Sequence, residues 1–245
     1  MGFLSTAHIL SLVFAVGIIT ALYFLLRKAK RGVQIAVLGI LSFSGIAAII
    51  FNLVHWNSPL EYLPFHLCFL NAMVLPFAVF SRNKTLNNLL LLWSLGALVA
   101  LVVNTSVAAA EICSWTFVFY YFPHVLEFGI PILMFLLKLV KKDVKCIATT
   151  LGITMVSYTV IHFINLWINS YAAANNVLDW AGNVIKVNYM YSIYPDNPLL
   201  ALFYQIIPHA YWYMYLVVVV IAVYLVFVYL NDIIKLIKGK KKAST

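Results

Sequence analysis

The chain has 245 residues, of which 64% are hydrophobic and only 9% charged. A soluble domain carries roughly 25% charged residues, so this composition excludes a soluble globular fold. The net charge of +9 resides in short clusters between apolar runs, which argues against a nucleic-acid surface and for a membrane protein.

In chain order, seven apolar stretches are long enough to be read as membrane spans, for which about 20 residues are needed. They lie near Phe3–Leu26, Val33–Val54, Leu63–Phe80, Leu86–Val107, Thr116–Leu137, Cys146–Asn169 and Leu199–Tyr229. The third is short, and the last is long enough to tilt. No polar stretch is long enough to fold alone. The expected fold is therefore all-α: one integral membrane domain over residues 1–245, a seven-transmembrane-helix bundle.

The basic residues set its orientation. Arg27, Lys28, Lys30 and Arg31 follow the first span, Arg82 and Lys84 the third, and Lys138, Lys141, Lys142 and Lys145 the fifth. Lys235, Lys238, Lys240, Lys241 and Lys242 follow the seventh, so only Lys186 of the 16 basic residues falls on the other side. Basic residues stay inside, which predicts an outside N-terminus and an inside C-terminus.

With that orientation the polar residues collect at one depth. His66, Cys68 and Asn71 lie early in the third span, and Asn104 late in the fourth. His124 and Glu127 lie in the outer half of the fifth, His162 and Asn165 in that of the sixth, and Gln205 and His209 in that of the seventh. Ionisable groups at membrane depth usually face a bundle interior or a cavity. A polar cavity open to the outer leaflet is expected. Each histidine taken alone is better accounted for as an interhelical hydrogen-bonding group than as a reactive one; the argument for function rests on the group as a whole.

Cys68 is the best nucleophile by residue type, and a thiol needs a base to become a thiolate. In a regular helix His66, two residues away, points to a different face. His124 stands at a plausible depth, and Glu127 three residues later could orient it. Asn71, three residues after Cys68, or Asn104 could donate to an oxyanion. Histidines with a glutamate can hold zinc or iron, but no HxxxH or HExxH spacing occurs, so such a site would have to be assembled from separate helices; no cofactor is the expectation. The seventh span lacks a lysine for a retinal Schiff base. A small polar solute bound by the same side chains, as in a transporter, is the alternative.

Three segments, LPFHLCFLNAMVLPFAVF, YFPHVLEFGIPILMF and VNYMYSIYPDNPLLALF, resemble the YwaF-like family of bacterial membrane proteins in order and spacing. That family is similar to an animal branch of cysteine-dependent phospholipid acyltransferases, and more distantly to membrane hydrolases that use threonine and histidine on lipid esters. The resemblance implies a bacterial plasma-membrane protein with Cys68 as nucleophile and His124 as base. It marks Asn188, Tyr189 and Met190 as a family motif without an assigned role. Bulky Phe69 stands where many members carry a small or acidic residue. The expected activity is lipid acyl transfer or lipid-ester hydrolysis, with membrane lipid as partner and its acyl chain, or a small polar substrate, in the cavity.

Overall fold

A computed structural model describes residues 5–56, 58–103, 114–179, 181–196 and 198–243. Nine α-helices are described: α1 (Thr6–Leu26), α2 (Arg31–Ser42), α3 (Ser44–His55), α4 (Leu67–Ser81), α5 (Lys84–Val103), α6 (Trp115–Leu136), α7 (Cys146–Asn175), α8 (Pro198–Ile206) and α9 (Ala210–Ala243). Among the described residues there is no strand, only an isolated bridge between Leu178 and Val184.

Among the described residues, six helical segments are long and apolar enough to cross a membrane: Thr6–Leu26, Arg31–His55, Lys84–Val103, Trp115–Leu136, Cys146–Asn175 and Tyr211–Lys235. The expected third span is the shorter helix Leu67–Ser81. Its 15 residues rise about 22 Å, less than the roughly 30 Å of a hydrocarbon core. It starts later than the pattern suggests because Leu63–His66 is extended or bent, Pro64 included. The expected second span is broken at Phe43, and the expected seventh is broken at Ile207–His209 around Pro208.

Burial is distributed as a bilayer demands. Val54 is 80% exposed and Leu25 75% exposed, whereas Asn71 is fully buried and Glu127 is 2% exposed. Apolar side chains face out because lipid is their solvent; polar ones turn inward, where they find partners. The main core joins Leu38 of α2, Leu75 and Val79 of α4, Leu90 of α5, Ile130 and Leu133 of α6 and Leu225 of α9.

Short connections and cross-helix hydrogen bonds set the directions. Asn87 at the start of α5 donates to the carbonyl of Ala78 at the end of α4 (2.8 Å), so the two helices are antiparallel. Tyr120 near the start of α6 donates to the carbonyl of Ala100 near the end of α5 (3.2 Å), so these are antiparallel too. Helices α4 and α6 therefore run in the same direction. Between α5 and α7, Trp93 Nε1 donates to Thr154 Oγ1 at 3.0 Å. Interhelical bonds of this kind average about 0.6 kcal/mol in a membrane, so they fix register more than they stabilise.

At the far end of α4 the chain closes with charge. The Lys84 ammonium is paired with Asp143, whose carboxylate also accepts the Lys145 backbone N–H at 2.9 Å. The lysine, and then that N–H, hold the Asp143 carboxyl below its ordinary value of 3.8. A depressed folded-state value means that the stabilisation is complete above that ordinary value and lost as pH falls through the lower one. Thermal unfolding in detergent should show a small extra acid destabilisation below about pH 4 that Asp143→Asn removes. Equal acid sensitivity in both proteins would dismiss the pair as a contributor.

Candidate functional site

Helices α4 and α6 meet at one polar rung. Pro131 has no N–H, which leaves the carbonyl four residues earlier, that of Glu127, without its helical donor. Asn71 Nδ2 of α4 takes that carbonyl at 3.3 Å. This rung sets the register of two parallel helices. Cys68 is three residues before Asn71, and His124 three residues before Glu127. Each step back is about 4.5 Å along its helix and returns to nearly the same face. Cys68 and His124 therefore share one level, a turn from the Asn71–Glu127 rung.

His66 is the N-cap of α4, with extended backbone and no side-chain cap bond, and Cys68 is the second residue of the helix. The argument that a regular helix separates His66 from Cys68 thus does not apply, because His66 stands outside the helix. The thiol lies in the first turn of α4, at the uncapped helix start. It is half-buried.

The His124 ring is fixed by its own helix. Its Nδ1 lies 2.6 Å from the Tyr120 carbonyl, and its ring packs on that of Tyr120 at 4.4 Å. A carbonyl only accepts, so Nδ1 carries the proton and Nε2 presents a lone pair. It is the Tyr120 carbonyl, not the Glu127 carboxyl, that the His124 Nδ1 bonds. Among the described residues, the Glu127 Oε2 and Asn71 Oδ1 atoms are buried without hydrogen-bond partners.

Glu127 reaches this place because Gly45 of α3 has no side chain. A Cβ there would lie 2.5 Å from Ala72 Cβ and 2.8 Å from Glu127 Oε1. Gly45→Ala should destabilise by about 1–3 kcal/mol through overpacking, which outweighs a helix-propensity gain of about 1 kcal/mol. Gly152→Ala in α7, with nothing within 4 Å, should show the propensity gain alone. Melting in detergent checks both; a neutral Gly45→Ala would mean that α3 can move aside.

The remaining candidates fall into two groups. Asn165 is buried and matched to backbone: it accepts from the Tyr189 N–H (3.0 Å) and donates to the Tyr189 carbonyl and Ser192 Oγ (2.8 Å each). His162 Nδ1 is 3.1 Å from the same Ser192 Oγ. Asn188 donates to the Tyr194 carbonyl (3.0 Å) and accepts from Ile193 N–H (3.0 Å). Asn165 and His162 pin the segment Val187–Tyr194 against α7, and Asn188 closes that segment on itself. Gln205 and His209 are exposed. Asn104 lies outside the described residues, as does Cys113.

What the pinned segment delivers is a turn over the start of α4. Tyr189 and Tyr191 place their rings 5.3 and 5.5 Å from His66. Met190 and Tyr191 have φ of 52° and 55°, left-handed values that cost non-glycine residues about 1–3 kcal/mol each. Tyr191 was not legible as a site residue; its only sequence signal is its place one step after the Asn188–Met190 motif.

The apolar exterior, the buried polar rungs and the six long apolar helices define an all-helical membrane protein. The chain belongs to the TMEM164 family, whose profile matches residues 3–230. No curated protein and no solved structure matches it.

Proposed function

We propose that this chain is a membrane-embedded lipid acyltransferase or lipid-ester hydrolase with Cys68 as nucleophile and His124 as base. The observation that carries the reading is the shared register of Cys68, at an uncapped helix start, and His124, whose free Nε2 is fixed by the Tyr120 carbonyl. The likeness of the Cys68 and His124 segments to the YwaF-like proteins and the cysteine-dependent phospholipid acyltransferases supports it. The basic clusters favour seven crossings in a single domain, Leu67–Ser81 included, with the N-terminus outside. The YwaF-like resemblance favours the plasma membrane of a bacterium.

In this reading the Cys68 thiol gives its proton to His124 Nε2, and the sulfur attacks the acyl-ester carbonyl carbon. The carbonyl π electrons move to oxygen. Collapse of that intermediate expels the lysolipid oxygen, which takes the proton from His124, and leaves an acyl thioester on Cys68. A second alcohol completes a transfer; water completes a hydrolysis. Asn71 holds the helix register.

The transporter alternative draws less support. Three of the polar residues that would be its ligands, His162, Asn165 and Asn188, are engaged with backbone or with Ser192. Purified protein incubated with phosphatidylcholine carrying a labelled acyl chain, plus a lysophospholipid acceptor, should move label to the acceptor or release it as fatty acid. Uptake of a polar solute by proteoliposomes without label movement would reverse the choice.

A further inference from the structure

Tyr191 is the best-placed group that the mechanism above leaves unused. The turn that carries it is held at three points. The Tyr191 N–H donates to the Asn188 carbonyl (2.9 Å), the Tyr213 hydroxyl donates to the Tyr191 carbonyl (2.5 Å), and Asn165 clamps both backbone groups of Tyr189. These bonds hold the turn in its left-handed conformation.

The side chain sits at the start of the helix that carries the candidate nucleophile. Its ring lies 5.5 Å from that of His66, the N-cap residue two before Cys68. Three neighbouring tyrosines have their hydroxyls on backbone carbonyls: Tyr189 on Leu60, Tyr213 on Tyr191 and Tyr158 on Tyr211. The Tyr191 hydroxyl has no hydrogen-bond partner among the described residues. Burial pushes the phenol up to about 12, with the Cys68 and Asp196 charges adding. It is thus an O–H donor throughout the neutral range.

We propose that the Tyr191 hydroxyl, with the backbone N–H groups at the start of α4, forms the oxyanion site for acyl transfer at Cys68. The proposal rests on the acyl-transfer reading above. The phenol donates a hydrogen bond and does not give up its proton: as the sulfur–carbon bond forms, the carbonyl π pair moves onto oxygen and is met by Tyr191 O–H. When that pair returns, the ester carbon–oxygen bond breaks and the leaving oxygen takes the proton held by His124. Oxyanion donors of this kind contribute about 10²–10³-fold to rate.

The test uses full-length protein in detergent micelles with p-nitrophenyl decanoate and its thionoester analogue, following the acylation burst. Tyr191→Phe retains the ring contact with His66 and should lower acylation by the oxoester about 100-fold with KM unchanged. The thionoester rate should fall much less, since sulfur is a poor hydrogen-bond acceptor. Incorporation of 3-fluorotyrosine in place of Tyr191, which keeps the donor and the shape, should hold the oxoester rate near wild type. Loss of rate with fluorotyrosine as well, or equal falls on both substrates in Tyr191→Phe, would reduce Tyr191 to a scaffold residue. An unchanged rate in Tyr191→Phe overturns the proposal while the acyl-transfer reading stands, provided Cys68→Ala shows no burst. A burst that survives Cys68→Ala overturns the reading itself.

Discussion

Cys68→Ala should lose acyl transfer by roughly 10⁴-fold or more, as expected when the nucleophile of a covalent mechanism is removed. The residue is half-buried at the start of α4, so loss of one sulfur there leaves only a small packing defect. Melting in detergent should shift little. Cys146, buried at the other end of the bundle where α7 begins, is the control: Cys146→Ala should keep activity. Comparable activity in Cys68→Ala and wild type, measured by transfer of a labelled acyl chain, would leave Cys68 as a packing residue.

The second large effect is expected at His124. Removal of a positioned general base lowers rate by about 10²–10⁴-fold. His124→Ala alone would be ambiguous, because the ring also packs on Tyr120 and bonds its carbonyl. His124→Gln resolves this: the amide can still donate to the Tyr120 carbonyl but cannot act as a base. Recovery of melting temperature without recovery of activity in His124→Gln is the expected pattern. Full activity in His124→Gln would give the base role to another group, and His66 is then the next to replace.

The candidate pair was legible for different reasons from the rest of the site. Cys68 and His124 stand out because each is a reactive residue in an apolar run, and the depth argument needs only helix rise and span order. The orienting group could not be read the same way. Glu127 has the right spacing from His124, but Tyr120 lies four residues before it, and the backbone carbonyl of any residue can serve. The Asn71–Glu127 rung had a signal, since Pro131 stands four residues after Glu127, but the partner that fills the freed carbonyl depends on packing of two helices.

The errors in the helix reading have local causes. Apolarity runs from Leu63 through Phe80, yet Pro64 and the extended backbone at His66 delay α4 to Leu67. That shift places Cys68 in the first helical turn, where its surroundings change most. Apolar character also runs unbroken through Phe43 and Ser44, so hydropathy alone shows one helix where the backbone makes two. Tyr191 was beyond reach because its left-handed turn is imposed by Asn165, 26 residues earlier in the chain, and by Tyr213. Neither Met190 nor Tyr191 is a residue that advertises positive φ.

The most direct measurement is mass spectrometry of the protein after brief incubation with phosphatidylcholine vesicles and acid quenching. The account predicts one added acyl chain on the peptide that carries Cys68, removed by neutral hydroxylamine as a thioester must be, and absent from Cys68→Ala. An acyl adduct on another residue, or no Cys68 adduct in protein that still moves acyl groups between lipids, would contradict it.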